Sequence, residues 1–284
     1  METPALIHAV WEGSAAAVAK IAQADPAAVS DISTGQSALH VAAQGNKFKI
    51  GKVLLDHGAD PNLGNYNGHT PLHNAASNGA ASFCRLLIQR GAVLDVYGNR
   101  DVSPLGEALC SWADGAAECA KLLRKARAAE DLITAIFSGD DALIAKLLVE
   151  KSHDERHQRQ LARCIPDLLL SWKYEAQRAW MLDTSQEHED VLSQVVAKHL
   201  PTLDLLLARG AQIDMPGNTF SETALFLVLR DMLTQGILVR PLLERGADPN
   251  QRDRSGESPF AVARQSPNAF VRAIAALLEY GARE

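Results

Sequence analysis

Asn67-Gly68-His69-Thr70-Pro71-Leu72-His73, running on into Asn74-Ala75-Ala76-Ser77-Asn78-Gly79, is the stretch whose reading decides the architecture of this chain. Gly68 permits a tight turn at positive φ. Thr70 can cap a helix with its hydroxyl, and Pro71 suits the first helical position, where its missing N–H breaks no bond. Leu72, Ala75 and Ala76 then form the inner stripe of a short helix that turns at Gly79, the alanines being small enough to let helices approach closely. A second helix follows with Phe83, Leu86 and Leu87 facing inward, and Gly91 ends it as a C-cap glycine.

The same grammar recurs at a fixed interval. Leu6, Leu39, Leu72 and Leu105 are each 33 residues apart. Around them Ser37-Ala38-Leu39-His40 becomes Thr70-Pro71-Leu72-His73 and then Ser103-Pro104-Leu105, while Asp56-His57-Gly58-Ala59-Asp60 returns as Gln89-Arg90-Gly91-Ala92. A 33-residue period carrying T-P-L-H and G-A-D marks resembles the ankyrin-repeat family closely. That resemblance implies an all-α solenoid whose residues 92 to 102 fold back as a hairpin-like finger towards the next repeat. The alanine-rich, compact style and acidic start also resemble stand-alone bacterial members.

Counting from the periodic leucine gives about seven helix-turn-helix units. The first, near 1 to 30, has Leu6, Ala9 and Gly13 in register without the T-P-L-H and reads as an N-terminal cap. The fourth keeps Ser103-Pro104-Leu105 but has extra residues in its middle, and Leu105 to Leu132 spans only 27 residues, too few for a full finger. That junction reads as a break in the array. The pattern resumes at Leu205-Leu206-Leu207-Ala208-Arg209-Gly210-Ala211, then at Thr223-Ala224-Leu225 and Ser258-Pro259-Phe260, and Leu277 to Ala282 closes a C-terminal cap.

The expected organisation is one continuous domain, 1–284: N-terminal repeats over 1–150, an irregular helical insertion over 151–190, and C-terminal repeats and cap over 191–284. In the insertion Leu161, Ile165, Leu168, Trp172, Ala176 and Ala179 follow helical spacing, and Pro166 is expected to divide or kink the helix.

Composition agrees with thin aliphatic layers, with 47% apolar residues and only 5% aromatics. With 28 basic against 34 acidic side chains the net charge is −6, so nothing draws the whole molecule to nucleic acid or an anionic membrane. No run of about 18 apolar residues is present and the start is acidic, which leads to the expectation of a cytoplasmic protein, monomeric when unbound. Cys84, Cys110, Cys119 and Cys164 have no CxxC spacing and read as reduced packing residues.

The titratable constellations read as structural. His40 and His73 occupy the T-P-L-H histidine, which in the family steadies the turn by bonding to backbone. His153 and His157 share one helical face but lack a third ligand, so a solvated face is expected and no metal. Asp140 and Asp141 sit where the dipole of a new helix favours acids. The basic run Lys121, Arg124, Lys125 and Arg127 reads as a solvated patch. No P-loop, nucleophile elbow or dinucleotide fingerprint appears, so neither an enzyme nor a cofactor is expected.

What remains is a binding surface. Aligned on the leucines, Trp11 falls at the position of Ser77 and Trp112 at that of Gly79, and exposed tryptophans in a groove are frequent hot spots. The family resemblance carries over finger and groove positions: Tyr66, Asn67, His69, Asn74 and Asn78 in the third unit, and Asn99, Arg100, Glu107 and Ser111 in the fourth. In the later units it carries over Thr219, Phe220, Glu222, Arg230, Asp231, Arg254 and Glu257. Their mixed charged, amide and aromatic character is that of a polar-rimmed interface. The expected function is a non-catalytic scaffold that binds one protein through its concave face, as an inhibitor or immunity protein of a toxin. The alternative is an adaptor or secreted effector targeting a host protein, with any activity in the 151–190 insertion.

Overall fold

The computed structural model describes residues 4–185, 187–217, 222–231, 235–265 and 271–283. Seventeen α-helices and no strand occur among them. Expected as one continuous array, the chain divides into two compact units, Met1–Glu130 and Asp131–Glu284. The division falls inside the shortened Leu105-to-Leu132 interval.

The first unit stacks four helix pairs: α1 (Ala5–Glu12) with α2 (Ala15–Ala24), α3 (Ala38–Gln44) with α4 (Phe48–Asp56), α5 (Pro71–Ser77) with α6 (Ala81–Gln89), and α7 (Pro104–Cys110) with α8 (Ala116–Lys125). The four periodic leucines, Leu6, Leu39, Leu72 and Leu105, are all at most 1% exposed and share one core with Phe83, Leu87 and Leu123. Burying each such leucine contributes about 1.5–3 kcal/mol, so the 33-residue register is itself the stabilising feature.

Two side-chain clasps join successive pairs. In the first, the backbone N–H of Thr70 donates to Nδ1 of His73 at 3.0 Å, with the Thr70 hydroxyl at the same distance. Nδ1 therefore accepts, the ring proton sits on Nε2, and Nε2 donates to the Val102 carbonyl at 3.2 Å, 29 residues on. Ser37 and His40 repeat the arrangement one unit earlier, with His40 Nε2 2.9 Å from the His69 carbonyl. Burial holds His40 below the ordinary histidine range and pushes His73 down to about 3, so both rings are neutral. In the second clasp Asn62 donates to the Gly91 carbonyl and accepts from the Val93 N–H at 2.7 Å.

Turn glycines fix the pair geometry. Gly79 has φ +66°, and a Cβ there would lie 2.2 Å from the Asp114 carbonyl oxygen of the next pair. The left-handed backbone and the neighbouring chain both require glycine.

The second unit pairs α9 (Leu132–Ser138) with α10 (Asp141–Glu150), α14 (Ala224–Arg230) with α15 (Gln235–Glu244), and α16 (Pro259–Gln265) with α17 (Val271–Glu279). Between them lie α11 (Glu155–Ala162), α12 (Ile165–Leu182) and α13 (His188–Ala208). The Asn clasp recurs here, Asn250 donating to the Gly281 carbonyl and accepting from the Arg283 N–H at 2.8 Å.

The segment expected as an insertion is part of this stack. Helix α12 packs on α9, on α13 and on α14, as α5 packs on α3, α6 and α7. Residue 190, the expected boundary, lies inside α13, whereas Pro166 marks a division as expected, standing in the first turn of α12 just after α11 ends at Ala162. Leu161, Ile165, Leu168, Trp172 and Ala176 enter the core, whereas Ala179 is exposed. Helix α13 is long and apolar enough, by length and composition alone, to cross a membrane over Glu189–Ala208. Its Leu192, Val196, Leu203 and Leu206 are instead buried in the core of the unit.

Two expected surface features are tertiary. His157 is buried, not on a solvated face, and neither ring nitrogen has a hydrogen-bond partner; burial lowers its pKa, helped by Lys151. Asp140 caps α10 through the Leu143 N–H at 2.9 Å, but Asp141 reaches across to His199 at 3.2 Å and the Thr202 hydroxyl at 2.8 Å. All four cysteines are buried thiols.

Candidate protein-binding surface

The candidate residues of the first unit hang on the fingers and on the exposed ends of α5 and α7. Each finger is a hydrogen-bonded turn: the Asn65 N–H donates to the His69 carbonyl at 2.9 Å and the Gly68 N–H to the Asn65 carbonyl. Successive fingers are tied by backbone, Tyr66 N–H to the Gly35 carbonyl and Asn99 N–H to the Asn67 carbonyl at 2.8 Å. Rigid spacing of this kind presents side chains at their tips with little entropy left to lose on binding.

Tyr66 is 68% exposed at one tip, its ring lying over Gly35, and Asn67 and Asn99 are exposed beside it. The Asn99 amide donates to the Tyr66 carbonyl. Behind the tips the polarity is drawn inward. His69 stacks on His73 with ring centroids 4.9 Å apart, and burial, then Arg100, lower its pKa.

Glu107, expected in the groove, is buried on α7, with Arg100 at 3.7 Å and His69 at 3.9 Å. Its Oε1 accepts no hydrogen bond, and burial raises its pKa against the pull of Arg100. The charge offered at this end is therefore the Arg100 guanidinium, 40% exposed, and not the Glu107 carboxylate.

Asn74, Asn78, Ser111 and Trp112 lie along the helices and at their far end. Asn74 donates to the His40 carbonyl at 3.4 Å and Asn78 to the Asn74 carbonyl at 2.9 Å. The loop between α7 and α8, Ser111-Trp112-Ala113-Asp114-Gly115, holds the extra residues of the fourth unit. Ser111 anchors it by donating to the Ser77 carbonyl at 2.6 Å, and Trp112 stands on it 52% exposed. Trp112 and Arg100 thus sit beyond opposite ends of α7, a seven-residue helix about 10 Å long. Trp11 is 56% exposed, at the end of α1.

In the second unit the candidate charges are largely committed. Arg230 bridges Glu222 and Asp253, and Asp231 pairs with Lys173 at 3.2 Å. Glu257 accepts from the Gln265 amide at 2.8 Å, while Arg254 is exposed. Thr219 and Phe220 lie outside the described residues.

The sequence reading did not single out Phe226, which stands three residues after Thr223 where the third unit has His73 after Thr70. Phe226 has no nitrogen for the clasp, and the Thr223 hydroxyl is left without a partner.

Comparison with known proteins fits this geometry. The family described as ankyrin repeats matches in three copies, over residues 6–97 and 58–135. The chain is 37% identical over 75 residues to the ADP-ribosylation factor GTPase-activating protein AGD2 of Arabidopsis thaliana, covering 26% of this chain and 10% of that protein. It is 36% identical over 102 residues to the human ankyrin repeat and KH domain-containing protein 1, covering 35% and 4%, respectively. Over 63 residues it is 41% identical to the mouse protein phosphatase 1 regulatory subunit 12A, covering 21% and 6%. The matched stretch is thus a tenth or less of each of these relatives. Because the family match falls on the residues that carry the 33-residue leucine register and the Thr–His clasps, residues 6–135 of the chain belong to the ankyrin-repeat family.

Proposed function

We propose that this chain is a non-catalytic binder of one specific protein partner, engaged by the finger tips and first-helix ends of residues 1–130. Ankyrin repeats generally mediate protein–protein interaction and are generally non-catalytic, and similar chains include a regulatory subunit. The observation that carries the reading is the exposure of Tyr66 and Trp112, with the Arg100 guanidinium, on a frame held by side-chain clasps. Aromatic and arginine side chains held this way dominate binding energy at protein interfaces. Since Trp112 and Arg100 lie beyond opposite ends of α7, the partner spans the first-helix face. We extend the reading to an inhibitor or immunity role, in which such a broad footprint covers the partner's working surface.

The test begins with purification of the chain with its bound partner from the native cell. Affinity is then measured for the wild type and for the triple variant Tyr66→Ala, Arg100→Ala, Trp112→Ala. Loss of about 2 kcal/mol or more, roughly thirtyfold, with an intact melt supports the surface. Full affinity in the triple variant overturns it. Unchanged activity of the partner in the complex would leave an adaptor in place of an inhibitor.

A further inference from the structure

The second unit contains a cavity of about 400 Å³ between the start of α14 and the finger turn at 251–255. It arises where the repeat grammar is broken. In the first unit the histidine of each Thr/Ser–His clasp closes this corner, filling the cap hydroxyl and the carbonyl of the next finger at once. At α14 the histidine is replaced by Phe226, buried to 2% exposure, which fills space but bonds to nothing polar. Thr223, itself only 9% exposed, stands in the lining, but its hydroxyl is buried beneath the surface and has no partner among the described residues. The missing histidine nitrogen is what leaves that group unsatisfied, as native proteins rarely do.

The charges around the cavity say what that is. Arg230 is neutralised by Glu222 and Asp253, and Asp253 is further occupied by the Ser255 and Glu257 N–H groups at 2.9 and 2.8 Å. Arg252 spends one nitrogen on the Gly256 carbonyl at 2.6 Å and keeps its remaining donors. Arg254 is exposed and has no hydrogen-bond or ion-pair partner among the described residues. The groups left open to the cavity are therefore two guanidinium forks, set against the walls supplied by Phe226 and Pro216. All the uncommitted charge is positive, on a chain whose net charge is −6. Guanidinium forks bind carboxylates bidentately, and a cavity of this volume holds a side chain or two.

We propose that this cavity is a second docking site, receiving a Glu or Asp carboxylate from an extended acidic segment of the partner protein. Arg254 and Arg252 hold the carboxylate. The assignment rests on the reading of the chain as a protein binder and adds the chemistry of one contact.

Fluorescein-labelled hexaglutamate is the probe, with hexaserine and hexalysine peptides as controls, followed by fluorescence anisotropy on the full chain. Saturable binding of hexaglutamate alone is expected, despite the like net charge of protein and peptide. Arg254→Glu should weaken it at least tenfold, with a melting temperature within a few degrees of the wild type. Arg178→Glu, the same charge change at an exposed arginine elsewhere in the unit, should leave binding within twofold. Absence of saturable binding up to 1 mM peptide, or equal losses from Arg178→Glu and Arg254→Glu, overturns the site. The outcome is separable from that of the first-unit surface. Hexaglutamate binding with a triple variant that keeps full partner affinity refutes that surface and leaves this site standing, and the converse result does the opposite.

Discussion

Acid should loosen the first unit through one side chain whose contribution can be isolated. His73 is fully buried, and its neutral form is required: Nδ1 accepts from the Thr70 N–H while Nε2 donates to the Val102 carbonyl. Adding a proton to Nδ1 destroys the acceptor and places a charge in the core. Burial accordingly holds the folded pKa at about 3, against about 6.5 in the unfolded chain. Above pH 6.5 both states are neutral and the clasp contributes in full. Below it the unfolded chain takes up a proton that the folded chain refuses, and stability falls until pH passes about 3. From pH 6.5 to 4.5 the loss is two units at about 1.4 kcal/mol each, close to 3 kcal/mol. That is a large share of the roughly 5–15 kcal/mol typical of a folded domain.

The assay is urea denaturation followed by far-UV circular dichroism at pH 7.0, 5.5 and 4.5, on the wild type and on His73→Gln. Other titrating groups, including Glu107 and Asp131 with their raised pKa values, act in both proteins and cancel in the comparison. The variant should be the less stable at pH 7.0, and the gap should narrow by about 1.4 kcal/mol per pH unit below 6.5. A gap of constant size from pH 7.0 to 4.5 would refute the neutral-clasp reasoning.

Leu72→Ala should cost roughly 2–5 kcal/mol, since it removes a fully buried aliphatic from a thin layer between helix pairs; an unchanged melt would show the leucine register to be wrong. Denaturation should depart from a single two-state step, because the two units have separate cores and stability in repeat arrays sums over neighbouring interfaces. Hydrogen exchange followed by mass spectrometry across a urea series checks this. Simultaneous loss of protection over 5–125 and 132–283 would count against it.

The local grammar of the chain was legible without coordinates. A threonine or serine before Pro-Leu or Ala-Leu, a histidine three residues on, and a glycine where the helix turns act through neighbours within about one helical turn, so their meaning is contained in the stretch itself. That is why the helix pairs at α3 to α8, the buried leucines and the break before Asp131 follow from the sequence. The second clasp has a sequence mark too, Gly58-Ala59-Asp60-Pro61-Asn62 and Gly246-Ala247-Asp248-Pro249-Asn250, although the repeat reading stopped at the G-A-D and did not single out the asparagines. What Asn62 and Asn250 hold, however, lies about thirty residues away.

Burial and partnership at the candidate surface were decided by tertiary structure alone. Glu107 and Asn74 occupy equivalent positions in the repeat, yet one is buried between His69 and Arg100 and the other bonds to the preceding helix. Residues 151–190 look irregular as sequence because their helices outlast the 33-residue frame, and only packing of α12 on α9 and α14 shows them to be a lengthened member of the stack. The Thr223 hydroxyl lost its partner through a change three residues away, but the cavity above it takes its lining from the turn at 251–255 as well as from α14. A helix start is specified by bonds within a few residues, whereas exposure, pairing and cavities depend on which distant side chains arrive at the same place, and only the folded chain brings them there.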